Sequence, residues 1–206
     1  MAAATAAVAI PAVAIPAAAI PAAADLHRRT TVAGPDECEG TLRAEVATSA
    51  GRLAVELPAL VELARRSRQP VFHAVIARAA LAVGDHVLAA ELLPPEPSST
   101  AAGNWSSLAL DCLRTEVLAG LGRTAELRRC VARLAPHADA IAVYGSIDTL
   151  GSVRHFLGCA AEALGDHAAA VEHFTEAVAV NTRVGVIPWR DRARERLARL
   201  PHGPAR

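Results

Sequence analysis

Of the 206 residues, 49 are alanine; apolar residues make up 52% and aromatics 3%, so strong helix formers abound and the residues that enrich strands are scarce. The 21 basic and 21 acidic residues cancel, which excludes the one-sided positive field of a dedicated nucleic-acid binder. Every basic residue is arginine, so Schiff-base catalysis and lysine-containing phosphate loops are excluded too. Cys38, Cys112, Cys130 and Cys159 form no CxxC pair and read as structural thiols, outside any disulfide framework, of a reduced, cytoplasmic protein.

In chain order, residues 1–24 repeat Ala-Ile-Pro with a period of five, ending at Pro11, Pro16 and Pro21. Proline at that spacing opposes a membrane-spanning helix, and the first cations, Arg28 and Arg29, follow the apolar stretch rather than precede it as in a secretory signal. Residues 1–40 are therefore expected to be a disordered Ala/Pro tail and a polar linker, and residues 201–206 a second disordered tail.

Between them, residues 41–200 carry a repeat. Gly51, Gly84, Gly122 and Gly165 each end an apolar-periodic stretch and lie 33, 38 and 43 residues apart, the length of a helical hairpin plus a variable connector. Before Gly84 the apolar positions are Phe72, Val75, Ile76, Ala79, Ala80 and Val83. Before Gly165 they are Val153, Phe156, Leu157, Ala160, Ala161 and Leu164, one helix face at the same phase. Second helices follow, with Leu127, Cys130, Val131 and Leu134, and with Ala170, Val171, Phe174, Ala177 and Val178. Residues 94–103 are a proline-rich loop ended by an Asn104 cap on a helix near Trp105, and residues 136–149 are a connector that fits either a short helix or a binding loop. Residues 189–200 predict a closing helix with Trp189, Ala193, Leu197 and Leu200 on one stripe and five arginines on an expected solvated outer face.

Leu157-Gly158, Gly165, Ala170, Phe174 and Ala177, at their mutual spacings, resemble the tetratricopeptide repeat, with Arg154, Ala161 and Thr182 departing from its usual Trp, Tyr and Pro. Residues 50–200 further resemble the C-terminal helical arm of large actinobacterial regulators with LuxR-type DNA-binding ends or ATPase and cyclase domains. The resemblance is carried by Gly151-Ser152-Val153-Arg154-His155-Phe156-Leu157-Gly158, the Ala163-Leu164-Gly165-Asp166 turn, the Ala170–Phe174 stretch and Pro188-Trp189. It covers the arm alone. It implies an all-α, tetratricopeptide-like right-handed solenoid of three to four hairpins with a capping helix, acting as a partner- or inducer-sensing module in transcriptional or signalling regulation.

Aligned on the turn glycines, Arg78, Cys112, Glu116, His155, Cys159 and Glu162 fall on the stripe that such hairpins turn to a common concave groove. This groove is expected to receive a protein or peptide, with no direct nucleic-acid or membrane binding. A small-molecule inducer held between hairpins is the alternative. His155, Cys159 and Glu162 share one helix face, but a tetrahedral metal site would need a fourth ligand from elsewhere, and no orienting group or oxyanion donor accompanies a catalytic Cys159. The expectation is no metal, no cofactor and no enzymatic activity.

Overall fold

The computed structural model describes residues 35–96, 107–144 and 148–201, all within one compact unit that runs from Ala33 to Arg206. The Ala-Ile-Pro tail, Asn104, Trp105, the Gly145-Ser146 pair and residues 202–206 lie outside the described residues. Nine α-helices are found among the described residues: α1 (Pro35–Ser49), α2 (Leu53–Arg66), α3 (Pro70–Ala82), α4 (His86–Leu92), α5 (Ser107–Gly120), α6 (Thr124–Leu134), α7 (Val153–Ala163), α8 (His167–Arg183) and α9 (Ile187–Arg199).

The helices are joined in pairs by a recurring turn. Gly51, Gly84, Gly122 and Gly165 have φ of +66°, +85°, +68° and +81°, the left-handed region that lets a helix end and the chain reverse. Around Gly84 the Asp85 N–H donates to the Ala80 carbonyl at 3.0 Å and the Gly84 N–H to Leu81 at 3.0 Å, the paired bonds of a Schellman motif. The same pair recurs at Arg52 and Gly51, at Arg123 and Gly122, and at Asp166 and Gly165. A fifth copy, unread in the sequence, sits at Gly185 (φ +76°) between α8 and α9. At two turns the residue after glycine also starts the next helix: Asp85 Oδ1 accepts from the Leu88 N–H at 2.9 Å and Asp166 Oδ1 from the Ala169 N–H at 3.0 Å.

First helices pack on first helices: α1 on α3, α3 on α5, α5 on α7, while each second helix lies against its own partner. One continuous core, from Ala44 and Ala47 of α1 through Phe72, Ile76, Leu113, Leu118 and Phe156 to Trp189 of α9, is hidden by this stacking. The predicted stripes are buried at Phe72, Val75, Ile76, Ala79 and Ala80 and at Val153, Phe156, Leu157 and Ala160, whereas Val83 and Val171 emerge at the surface. Small residues set the close approaches. A Cβ on Gly158 would lie 2.7 Å from Phe174 Cε1, and one on Gly40 would lie 2.6 Å from Phe72 Cζ, so α7 meets α8 and α1 meets α3 through absent side chains.

Three expectations are corrected. Helix α1 begins at Pro35, so residues 35–40 are not linker; proline suits the first turn of a helix, and Asp36 and Glu37 complement the positive end of its dipole. The chain is not wholly α-helical. The connector holds a 3-10 turn (Ala135–His137) and an antiparallel hairpin of β1 (Ile141–Tyr144) and β2 (Asp148–Ser152), with Ile141 opposite Ser152 and Tyr144 opposite Asp148. β-Branched Ile141 and Val143 with Tyr144 suit a strand, and burial alternates, with Ala142 and Tyr144 inside and Val143 outside. The third correction concerns α9, whose Arg192 and Arg196 turn inward to Glu45 and Glu162, while Arg194 and Arg199 stay exposed as expected.

Candidate functional site: the face shared by the first helices

Helix α9 packs on α8 and β2 and sends side chains to α1, α3 and α7. Its position is set at Gly151 of β2 (φ +69°), where an added Cβ would fall 2.7 Å from Trp189 Cβ and 2.9 Å from Asn181 Oδ1. Asn181, fully buried in α8, accepts from the Ser152 N–H at 2.9 Å, and the Ser152 hydroxyl in turn caps α7 at Arg154. The hairpin thereby ties α7, α8 and the start of α9 into one joint.

Trp189 is the anchor. Its ring is 4% exposed and meets His155 edge-on at 5.2 Å and Phe156 at 5.3 Å, both from α7. Two guanidiniums lie over the ring, Arg192 at 4.5 Å and Arg78 of α3 at 5.3 Å, as cation–π contacts. Both arginines also pair with Glu45 of α1, Arg192 at 2.6 Å across 147 residues of sequence. Burial works against the Glu45 carboxylate, but Arg78 and Arg192 outweigh it and hold its pKa below the usual range. Further along α9, Arg196 donates to Glu162 of α7 at 3.2 Å.

The six residues predicted to line a groove are thus distributed over two environments. Arg78, Glu116 and His155 come together around an open pocket of about 410 Å³, lined on its other side by Arg192, Arg196 and Arg199 of α9. Glu162 sits at its edge through Arg196. Cys112 and Cys159, 0% and 2% exposed, lie in the interior rather than on an accessible groove, because the short cysteine side chain does not outreach the packed helix faces around it. Arg192 and Arg196 of α9 reach into this face and pair with Glu45 and Glu162.

His155 and Cys159 do approach each other, with Nε2 3.7 Å from Sγ. Burial drives both toward their neutral forms. It pushes the His155 imidazole down to about 4 and the Cys159 thiol well above its usual value. A nucleophilic pair needs the reverse, a thiolate beside an imidazolium. Burial likewise raises the thiol pKa of Cys112 and Cys130. Among the described residues no group of three or more His, Cys, Asp and Glu side chains could hold a metal ion, and no helix is long and apolar enough to cross a membrane.

A second polar assembly went unread in the sequence. Arg133 of α6 grips Asp111 of α5 with Nε at 3.0 Å and Nη2 at 2.7 Å, and reaches Glu96 with Nη1 at 2.7 Å; Arg129 reaches the same Glu96 at 2.8 Å. Arg114, 1% exposed, donates to the Pro94 carbonyl. Together they pin the start of the proline-rich loop to α5 and α6. Their i, i+4 spacing on α6, Arg129 and Arg133, was the available signal.

Comparison of the chain with protein-family models, with curated proteins and with solved structures finds no match in any of the three.

Proposed function

We propose that the chain is a non-enzymatic protein-binding scaffold, built as a tetratricopeptide-like α-solenoid of four helical hairpins and a closing helix. In this reading it is the partner- or signal-sensing arm of a transcriptional or signalling regulator and works in the cytoplasm. The observation that carries the proposal is the seating of α9: α1, α3 and α7 receive an amphipathic helix through a buried tryptophan and arginine–carboxylate pairs on Glu45 and Glu162. A surface that holds one such helix has the chemistry to hold another, so the partner is a helix or peptide with an aromatic anchor flanked by basic residues. Rigid stacked hairpins reduce the ordering entropy of docking. The four Schellman turns between paired helices and the first-helix stacking support the solenoid geometry.

The test is affinity capture with the full chain, followed by titration of the captured partner against a Glu116→Arg/Glu162→Arg double variant. Reversal of both charges is expected to weaken binding at least tenfold while the far-ultraviolet circular dichroism stays helical. Equal affinity for both proteins would remove the reading.

A further inference from the structure

The row of first helices has an unfinished end. Helix α3 lies between α1 and α5, and α5 between α3 and α7, but among the described residues α1 has a first helix on one side only. Gly40, Thr41, Ala44 and Ala47 fill the side of α1 that meets the row. The opposite side carries Leu42 and Val46, 48% and 59% exposed and one helical turn apart.

Val46 is a ridge between two grooves. One runs along α2, with Arg52 and Glu56 on its far wall, and the other runs to the turn before α9, with Val186 and Pro188 on its far wall. Val184 and Ile187 stand exposed at that same turn. A ridge flanked by grooves fits a rotated copy of itself, each ridge entering the other's groove, which is how helices pack and how a two-fold interface closes.

The charged rim decides between occupants. Around Leu42 and Val46 lie Asp36, Glu39 and Glu56 and, against them, Arg43 and Arg52. A partner of one charge sign would meet repulsion as well as attraction. A second copy, turned through a two-fold axis at the level of Ala44, brings its Val46 against Leu42. In that register Asp36 of one copy comes level with Arg52 of the other, with Glu39 less than a helical turn away. Asp36, Glu39 and Arg52 are all exposed, and Arg43 keeps its own Glu56 at 2.6 Å. The acidic first turn of one helix thereby meets the carbonyl end of the other, the favourable pairing of antiparallel dipoles. A formal net charge of zero leaves little long-range repulsion between copies.

We infer that α1 is a self-association surface: two copies of this chain pair α1 against α1, antiparallel, through Leu42 and Val46, with Asp36 and Glu39 of each facing Arg52 of the other. One pair of 15-residue helices covers less than the roughly 1,600 Å² of a standard interface, so the dimer forms at micromolar rather than nanomolar concentration. The inference does not rest on the helix-binding reading above, whose test uses Glu116 and Glu162.

The experiment is sedimentation equilibrium of the full chain over a wide concentration range, and a reversible monomer–dimer equilibrium is expected. Val46→Glu should weaken it at least tenfold with the Tm and the far-ultraviolet circular dichroism unchanged, because Val46 is a surface residue. Val87→Glu on α4, 81% exposed and away from α1, should leave it as in the parent. Arg52→Glu should weaken the dimer, and adding Asp36→Arg and Glu39→Arg should restore it, a rescue that requires the antiparallel register. The inference is overturned by a chain that stays monomeric up to millimolar concentration, by a dimer indifferent to Val46→Glu, or by a charge swap without rescue. A monomeric chain whose Val46→Glu variant loses a captured partner overturns it too, and gives this face to that partner.

Discussion

The hairpins α3/α4 and α7/α8 start from nearly the same instructions. Both turn at Gly-Asp, both have the aspartate capping the next helix, and both bury the first-helix stripe. They end differently. Helix α8 runs for 17 residues and lays Phe174 over Gly158; α4 stops after 7, because Pro94 and Pro95 follow and proline cannot extend a helix. Nine residues beyond each turn glycine stand Phe174, fully buried, and Leu93, at the very end of α4. What α4 lacks in helix contact is replaced by arginine: Arg114, Arg129 and Arg133 hold residues 94–96. Equal turns thus coexist with unequal means of holding the second helix.

The largest expected effect follows from that inequality. Phe174→Ala should lower unfolding free energy by about 3–5 kcal/mol, and Leu93→Ala by about 2 kcal/mol, read from denaturant titration. Equal losses would break the comparison. Next is acid sensitivity. His155 and Ala74 occupy the same place relative to the two turns, both fully buried. Burial lowers the His155 pKa from 6.5 to about 4 in the folded chain, so its contribution is complete above pH 6.5 and is lost as pH falls toward 4, where the unfolded chain binds the extra proton. The loss reaches at most about 3 kcal/mol, and His155→Gln should flatten the stability profile over that window. A slope unchanged by the substitution would place the acid sensitivity elsewhere.

Smaller again is the arginine brace. Arg133→Met leaves Asp111 without its guanidinium, and since Arg133 is 32% exposed the cost should be about 1–2 kcal/mol, below that of a fully buried pair. Protection of the α5/α6 amides measured by hydrogen exchange should fall more than that of α7/α8; a uniform fall would contradict a local brace. Smallest is the shared device. Asp85→Ala and Asp166→Ala should each cost about 1 kcal/mol, alike within error, because the two caps have the same geometry. A difference above about 1 kcal/mol would mean that the turns are not equivalent.

What the sequence made legible was local and periodic. Glycine spacing and stripe phase carried the four paired turns and most of the core, since Schellman turns and 3.6-residue stripes are written in neighbouring residues. The rest depends on distant partners. The arginines of α9 have the pattern of a solvated face, and nothing near Arg192 announces that its carboxylate is Glu45, 147 residues away. Gly185 follows Gly165 too closely to match the hairpin spacing, so the turn before α9 escaped notice. Ile141–Tyr144 is a strand only because β2 is there to pair with it, a matter of context more than propensity. Of the groove residues, Arg78, Glu116 and His155 were placed together by phase alone, whereas the depth of Cys112 and Cys159 was set by neighbours that phase does not report.

The bridge from Glu45 to Arg192 joins the first described helix to the last. An open row of hairpins can fray from either end and can grow by duplication, since each unit touches only its neighbours. Here an inserted hairpin would carry α9 away from α1 and strand both partners of that contact, so the clasp between α1 and α9 opposes the insertion, and melting is expected to be a single event rather than a progressive peeling.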